Sequence, residues 1–276
     1  MKGCDFMIEG FKNYIINIKG LSENSYLSYN SDIKQFENYY LDSYGEELTI
    51  LTHQDIIAYK TYLLNRMNRS VSTINRMLAS LKNYNEFLVE TGVQNDIVIL
   101  DRDYIKVQNQ KVAKIIPSEK EINKLKHFSC KDSKHSERDY CIIVLASHGG
   151  FRVSELVNIK ISDIILEERY IKIIGKGNKF RRVIISDVML DALTEYLKIR
   201  LEIKTESPYL FVGQKTNSIG GKPLNRNFFN RTLDKYNSLC KISKLHPHIL
   251  RAYFCRTAIH KAGYSYEQVA SQARSS

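Results

Sequence analysis

The stretch HGGFRVSEL, residues 148–156, decides the fold, and an apolar run, CIIVLA at residues 141–146, leads into it. That run is long enough for a buried segment and too short for a membrane span. Two glycines end it, and apolar residues recur at helical spacing after Arg152, which predicts a helix start where an anion is favoured. Because burying an unpaired guanidinium is costly, Arg152 needs a partner, either structural (Glu155 or Asp163) or a bound anion.

The composition bounds the class of protein. The 276 residues suit one large domain or two ordinary ones, and 43% are hydrophobic, enough for sizeable cores. A net charge of +11 favours a polyanionic partner, nucleic acid first, although a merely soluble basic protein fits as well. No membrane span or signal peptide is evident. The five scattered cysteines form no CxxC pair and do not have the spacing of metal ligands. Such a pattern is typical of reduced thiols in a cytoplasmic protein.

Helical periodicity dominates the first part of the chain. It predicts a helix over residues 7–18, with Phe11, Ile15, Ile16 and Ile18 on or near one face. A second helix follows a turn at residues 21–25, a third begins at Thr52, and a fourth covers residues 71–89. Together they predict a small helical bundle over residues 1–94.

The periodicity fades over residues 95–115, which we interpret as a linker between domains. A new domain, residues 116–276, opens at a capping box formed by Ser118 and Glu121. Two β-rich runs, residues 169–174 and 180–185, flank a turn with glycines and an asparagine, which predicts a hairpin. Lys176 lies between two glycines of that turn, where it could approach a polyanion or be an ordinary turn lysine.

The segment LHPHILRAYF, residues 245–254, predicts a further helix. Pro247 suits the first helical position, and His248 and Arg251, three residues apart, would share a face. Imidazole and guanidinium are poor structural partners for each other, but they suit two oxygens of one phosphate. A surface pair facing solvent is the alternative.

Four segments in this order resemble the tyrosine recombinase (phage integrase) family, close to the chromosome-dimer-resolving and the transposon or phage recombinases. They are GFRVSEL (150–156), IGKGNK (174–179) continuing to Arg182, HILR (248–251) and LSENSY (21–26). The resemblance covers nearly the whole chain. It implies a mainly α fold with a small β-sheet or hairpin in the C-terminal domain. An N-terminal helical, SAM-like core-binding domain would precede a tyrosine recombinase catalytic domain.

The resemblance also implies a chemistry. A tyrosine would attack the scissile phosphate and form a 3′-phosphotyrosyl bond, without a metal or other cofactor. Arg152 and Arg251 would bind the non-bridging oxygens, Lys176 would protonate the leaving 5′ oxygen, and His248 would assist proton transfer or hold the phosphate. Glu155 would orient Arg152. The implied partners are duplex DNA with inverted-repeat core sites and further copies of the chain, as a tetramer on DNA.

The chain departs from the family near its end, where a Gly-His-Ser-like segment and then the nucleophile are expected. Residues 273–276, ARSS, resemble that segment with Arg274 in the place of the histidine. Tyr253, Tyr264 and Tyr266 come too early in the sequence to be the nucleophile, so we expect no nucleophilic tyrosine among the 276 residues. Two hypotheses follow: a truncated form of an active enzyme, or a non-catalytic DNA-binding protein of the same fold. A basic, helical RNA-binding protein is a distant third.

Overall fold

A computed structural model describes residues 9–106, 116–131, 135–174, 180–213, 224–242 and 245–273. Of residues 272 and 273 it describes only the backbone. The chain divides into two compact units, residues 1–111 and 112–276. In the described part of the chain, none of the helices combines the length and apolar character needed to cross a membrane.

The first unit contains the four helices that the periodicity predicts. They are α1 (residues 9–18, ending in the π-helical turn Tyr14–Ile18), α2 (Glu23–Tyr44), α3 (His53–Asn65) and α4 (Val71–Glu90). Thr52 begins α3 as predicted, because its hydroxyl accepts the backbone N–H of Asp55 at 3.2 Å while the Asp55 carboxylate accepts the N–H of Thr52 at 3.1 Å. This reciprocal capping satisfies two backbone donors that a helix start leaves without partners.

The prediction for α1 is wrong at one residue. Phe11 and Ile15 are buried, but Ile18 is 63% exposed. The π-helical turn explains the difference, since its wider turn moves Ile18 away from the face that a regular α-helix would give it.

The described part of the predicted linker, residues 95–106, belongs to the first unit and packs on its helices. Ile99 is fully buried among the side chains of the helical bundle. The side chain of Asn75 binds both the N–H and the carbonyl of Ile105, at 2.9 and 2.8 Å. The Asn85 side chain similarly accepts the N–H of Val98 at 2.7 Å. Asparagine side chains therefore replace the hydrogen bonds that regular secondary structure would supply to this irregular segment.

The described part of the second unit is helical around one small sheet. Its helices are α5 (Glu119–Lys131), α6 (Ser136–His148), α7 (Val153–Val157), α8 (Asp187–Glu202), α9 (Arg226–Cys240), α10 (Pro247–His260) and α11 (Tyr266–Ala273). The predicted capping box is present, with the N–H of Ser118 donating to Glu121 at 2.8 Å. Pro247 occupies the start of α10, as predicted.

The sheet contains the predicted hairpin and one strand more. Strand β1 (Ile164–Ile165) pairs antiparallel with β2 (Tyr170–Ile174), which pairs antiparallel with β3 (Phe180–Ile184). Side chains alternate between the two faces, so that Val183 is buried whereas Phe180 and Ile184 are more than half exposed. Helix α6 is almost entirely buried and forms the centre of the core with residues of α8, α10 and the sheet. The mainly α fold with a small sheet is therefore confirmed.

Candidate active site

The geometry of the turn after α6 favours glycine at both of its glycine positions. Gly150 has a φ of +62°, in the left-handed region that favours glycine. A Cβ on Gly150 would lie 2.4 Å from the Phe254 ring, and one on Gly149 would lie 2.1 Å from the Phe151 ring. These close approaches bring α10 against the turn and place Arg152 at the start of α7.

Arg152 has Glu155 as its partner, one of the two structural partners that the sequence left open. Glu155 accepts the backbone N–H of Arg152 on Oε2 at 2.7 Å and the Arg152 Nη1 on Oε1 at 2.9 Å. Asp163 instead accepts the backbone N–H of Lys160, at 2.9 Å. The Arg152 side chain remains 33% exposed. The ion pair therefore does not remove Arg152 from solvent, and a structural partner does not exclude a bound anion as well.

Arg251 approaches the same carboxylate from α10. Its Nη1 donates to the carbonyl of Gly150 at 2.8 Å and lies 3.9 Å from Oε2 of Glu155. The Arg251 side chain is only 13% exposed. The two arginines that the sequence placed about a hundred residues apart thus meet at one buried carboxylate.

A third arginine, Arg181, belongs to the cluster and was missed by the sequence reasoning. Its Nη2 donates to Oε2 of Glu155 at 2.7 Å, and its side chain is 9% exposed. The available signal was the alternation along β3. Arg181 is two residues before Val183, so a charged side chain occupies the inward face of a strand and requires a buried partner.

In the part of the chain that the structure describes, three guanidinium groups of this cluster surround one carboxylate. Burial raises the pKa of Glu155, but the backbone N–H of Arg152 and the nearby Arg181 more than offset it, so the net pKa is lowered and the carboxylate is ionised. Burial lowers the pKa of Arg251, and the like charge of Arg152 lowers it further. A guanidinium keeps its proton nevertheless, and among the described residues of this cluster the guanidinium groups outnumber the carboxylate, an arrangement suited to an oxyanion.

His248 lies one helical turn before Arg251 on α10 and is exposed. Together with Val153, the residue after Arg152, it lines a cavity of about 360 Å³. The structure thus places His248 at an open cavity that reaches the start of α7, whereas Arg251 turns inward to Gly150.

The remaining residues singled out by the sequence are Lys176, Arg274 and three tyrosines. Lys176 and Arg274 lie outside the described residues. Tyr253 is 7% exposed and packs in the core, which confirms that it is a packing residue of its helix. Tyr264 packs partly buried beside Phe254, while Tyr266 is 76% exposed.

Comparison with known proteins identifies the family. The model of the phage integrase family matches residues 116–272, and that of the phage integrase N-terminal SAM-like domain matches residues 8–92. A Bacillus thuringiensis protein, TnP I resolvase, is 36% identical over 256 residues, covering 91% of this chain and 85% of the relative. The tyrosine recombinase XerD of Rickettsia bellii is 30% identical over 257 residues, covering 90% and 83%.

Solved structures give the same fold. XerH recombinase, in a post-cleavage complex with a palindromic difH substrate, superposes with a TM-score of 0.70 at 19% identity, covering 94% of this chain and 75% of that one. A lambda integrase tetramer on a Holliday junction also gives 0.70, at 14% identity, covering 99% and 77%. The chain belongs to the phage integrase family of tyrosine recombinases, the enzymes of site-specific DNA strand transfer.

Proposed function

We propose that Arg152 and Arg251 bind the scissile phosphate of duplex DNA and stabilise the charge that develops on its non-bridging oxygens. One observation carries this proposal: a guanidinium only 13% exposed lies beside two like charges and one carboxylate. Guanidinium groups that converge in this way bind an anion through charge-assisted hydrogen bonds, most strongly when negative charge grows in the transition state. Glu155 holds Arg152 through both carboxylate oxygens, which fixes the guanidinium before the substrate binds.

In the proposed reaction a tyrosine hydroxyl loses its proton and attacks the phosphorus. A bond forms between the tyrosine oxygen and the 3′ phosphate, and the bond to the 5′ oxygen breaks. Lys176 gives a proton to that leaving oxygen, and His248 assists proton transfer or holds the phosphate. The reverse attack by a 5′ hydroxyl rejoins the strand, and no cofactor takes part in either step.

The proposed partners are duplex DNA with inverted-repeat core sites and further copies of the chain. The net charge of +11 supports a DNA partner. Structures of the same fold hold DNA, one of them as a tetramer, which supports assembly on the substrate. In this proposal residues 1–94 bind the core site, residues 95–115 connect the domains and residues 116–276 carry the chemistry.

The test uses the protein as its gene encodes it. A binding site is first selected from a randomised duplex library, and a nicked duplex of that site is then used to trap the covalent adduct. Replacing Arg251 or Arg152 with Gln should lower the rate of adduct formation by about 10²–10³-fold, as expected for one lost donor to a developing oxyanion. Peptide mapping of the adduct identifies the tyrosine. A wild-type protein that forms no adduct on its selected site, or an Arg251→Gln variant with the wild-type rate, contradicts the proposal.

A further inference from the structure

The third arginine of the cluster, Arg181, lies on strand β3, whereas Arg152 is at the start of α7 and Arg251 is on α10. Strand β3 directs its side chain inward, on the face that also buries Val183. The guanidinium is 9% exposed and its carboxylate partner, Glu155, is 6% exposed. At such burial water screens the ion pair weakly, so the pair at 2.7 Å constrains both side chains.

The contacts of Glu155 show what Arg181 contributes. Oε1 accepts Arg152 Nη1, while Oε2 accepts both the backbone N–H of Arg152 and Arg181 Nη2. Arg251 Nη1 is 3.9 Å from the same Oε2 but donates to the Gly150 carbonyl. Without Arg181, the charge of Oε2 would attract Arg251 more strongly, and Arg251 would move from Gly150 toward the carboxylate.

We infer that Arg181 is a positioning residue: by binding Oε2 of Glu155 it keeps Arg251 on the Gly150 carbonyl and thereby sets the spacing of the two phosphate-binding arginines. The inference rests on the proposed function of Arg152 and Arg251. In this role Arg181 acts through Glu155 rather than by binding the reacting phosphate. It also ties β3 to the start of α7, so that the sheet and the glycine turn are held together beside Arg152.

The experiment separates positioning from phosphate binding by measuring two quantities. One is the rate of adduct formation at saturating duplex, and the other is duplex affinity as a function of salt. Arg181→Gln should lower the rate by about 10- to 100-fold. This is the range known at metal sites when a residue that orients a metal-binding side chain is replaced, about 10- to 100-fold. The salt dependence of affinity should not change, whereas the loss of one phosphate contact lowers its slope by about 0.9. Arg181→Lys, which keeps the charge, should restore part of the rate.

A double variant tests whether Arg181 acts through Glu155. If it does, Arg181→Gln combined with Glu155→Gln should be no slower than Glu155→Gln alone, because the second change removes an interaction that is already lost. Independent, multiplicative effects of the two substitutions would overturn the inference, and so would a reduced salt slope in Arg181→Gln.

Arg138→Gln is the matched control for simple destabilisation. Arg138 is 8% exposed and pairs at 2.9 Å with Asp139, which is 6% exposed, so it matches the Arg181 pair in burial and partner. This variant should lower the Tm without changing the rate per folded molecule. Wild-type rates in Arg181→Gln, or equal losses in Arg181→Gln and Arg138→Gln, would overturn the inference. Failure of the wild-type protein to form an adduct would instead count against the proposed function.

Discussion

Replacing Gly150 with Ala tests the turn on which the site depends. Two costs add in this variant. A φ of +62° costs an L residue about 1 kcal/mol. The new Cβ would also lie 2.4 Å from the Phe254 ring, and relieving that overlap in a packed core costs about 2 kcal/mol. The sum, about 3 kcal/mol, corresponds to a Tm lower by about 6–12 °C for a unit of this size.

The assay is native-state hydrogen exchange of amides in α6 and α10, because the chain has two units and one global unfolding energy does not describe both. Gly263→Ala is the matched control, since Gly263 has a φ of +69° and a Cβ there would meet none of the described neighbouring atoms within 4 Å. Gly263→Ala should lower the free energy of unfolding only by the cost of a positive φ for alanine, about 1 kcal/mol. If Gly150→Ala lowers protection no more than Gly263→Ala does, the close approach of Phe254 to the turn is refuted.

Two further predictions concern stability. Burial, followed by the charge of Lys126, lowers the pKa of His148 to about 4 from 6.5. The unfolded chain therefore takes up the proton first, and the second unit should lose up to about 3 kcal/mol as the pH falls from 6.5 to 4. His148→Gln should flatten the dependence of Tm on pH between about pH 6.5 and 4. An unchanged dependence would contradict the lowered pKa of His148. In the first unit, Thr52→Ala should cost about 1 kcal/mol in urea unfolding because it removes the cap of α3. Thr61→Ala, which removes only an exposed bond to the carbonyl of Ile57, should be nearly neutral, and equal losses would refute the capping role.

Local chemistry determined most of the fold. The starts of α3 and α10 follow from Thr52 and Pro247, because capping and the fixed φ of proline act within one turn of the chain. The short strand β1 was not predicted, since two residues are too few to show a period, and its pairing with β2 is a contact between segments. Ile18 was placed wrongly because the periodicity assumes a regular α-helix, whereas the chain forms a π-helical turn there.

The candidate site was determined partly by the sequence. The residues alone predicted an anionic partner for Arg152 and a phosphate at His248 and Arg251, and the resemblance to the family implied that one phosphate is bound by both arginines. The resemblance implied that Glu155 orients Arg152, and the tertiary structure shows this pair. Only the tertiary structure decided that Arg251 donates to the Gly150 carbonyl and that Arg181 completes the cluster. The physical reason is distance along the chain: helix caps and strand alternation act between near neighbours, whereas the three arginines meet only after α10 and β3 have packed against the turn at Gly150.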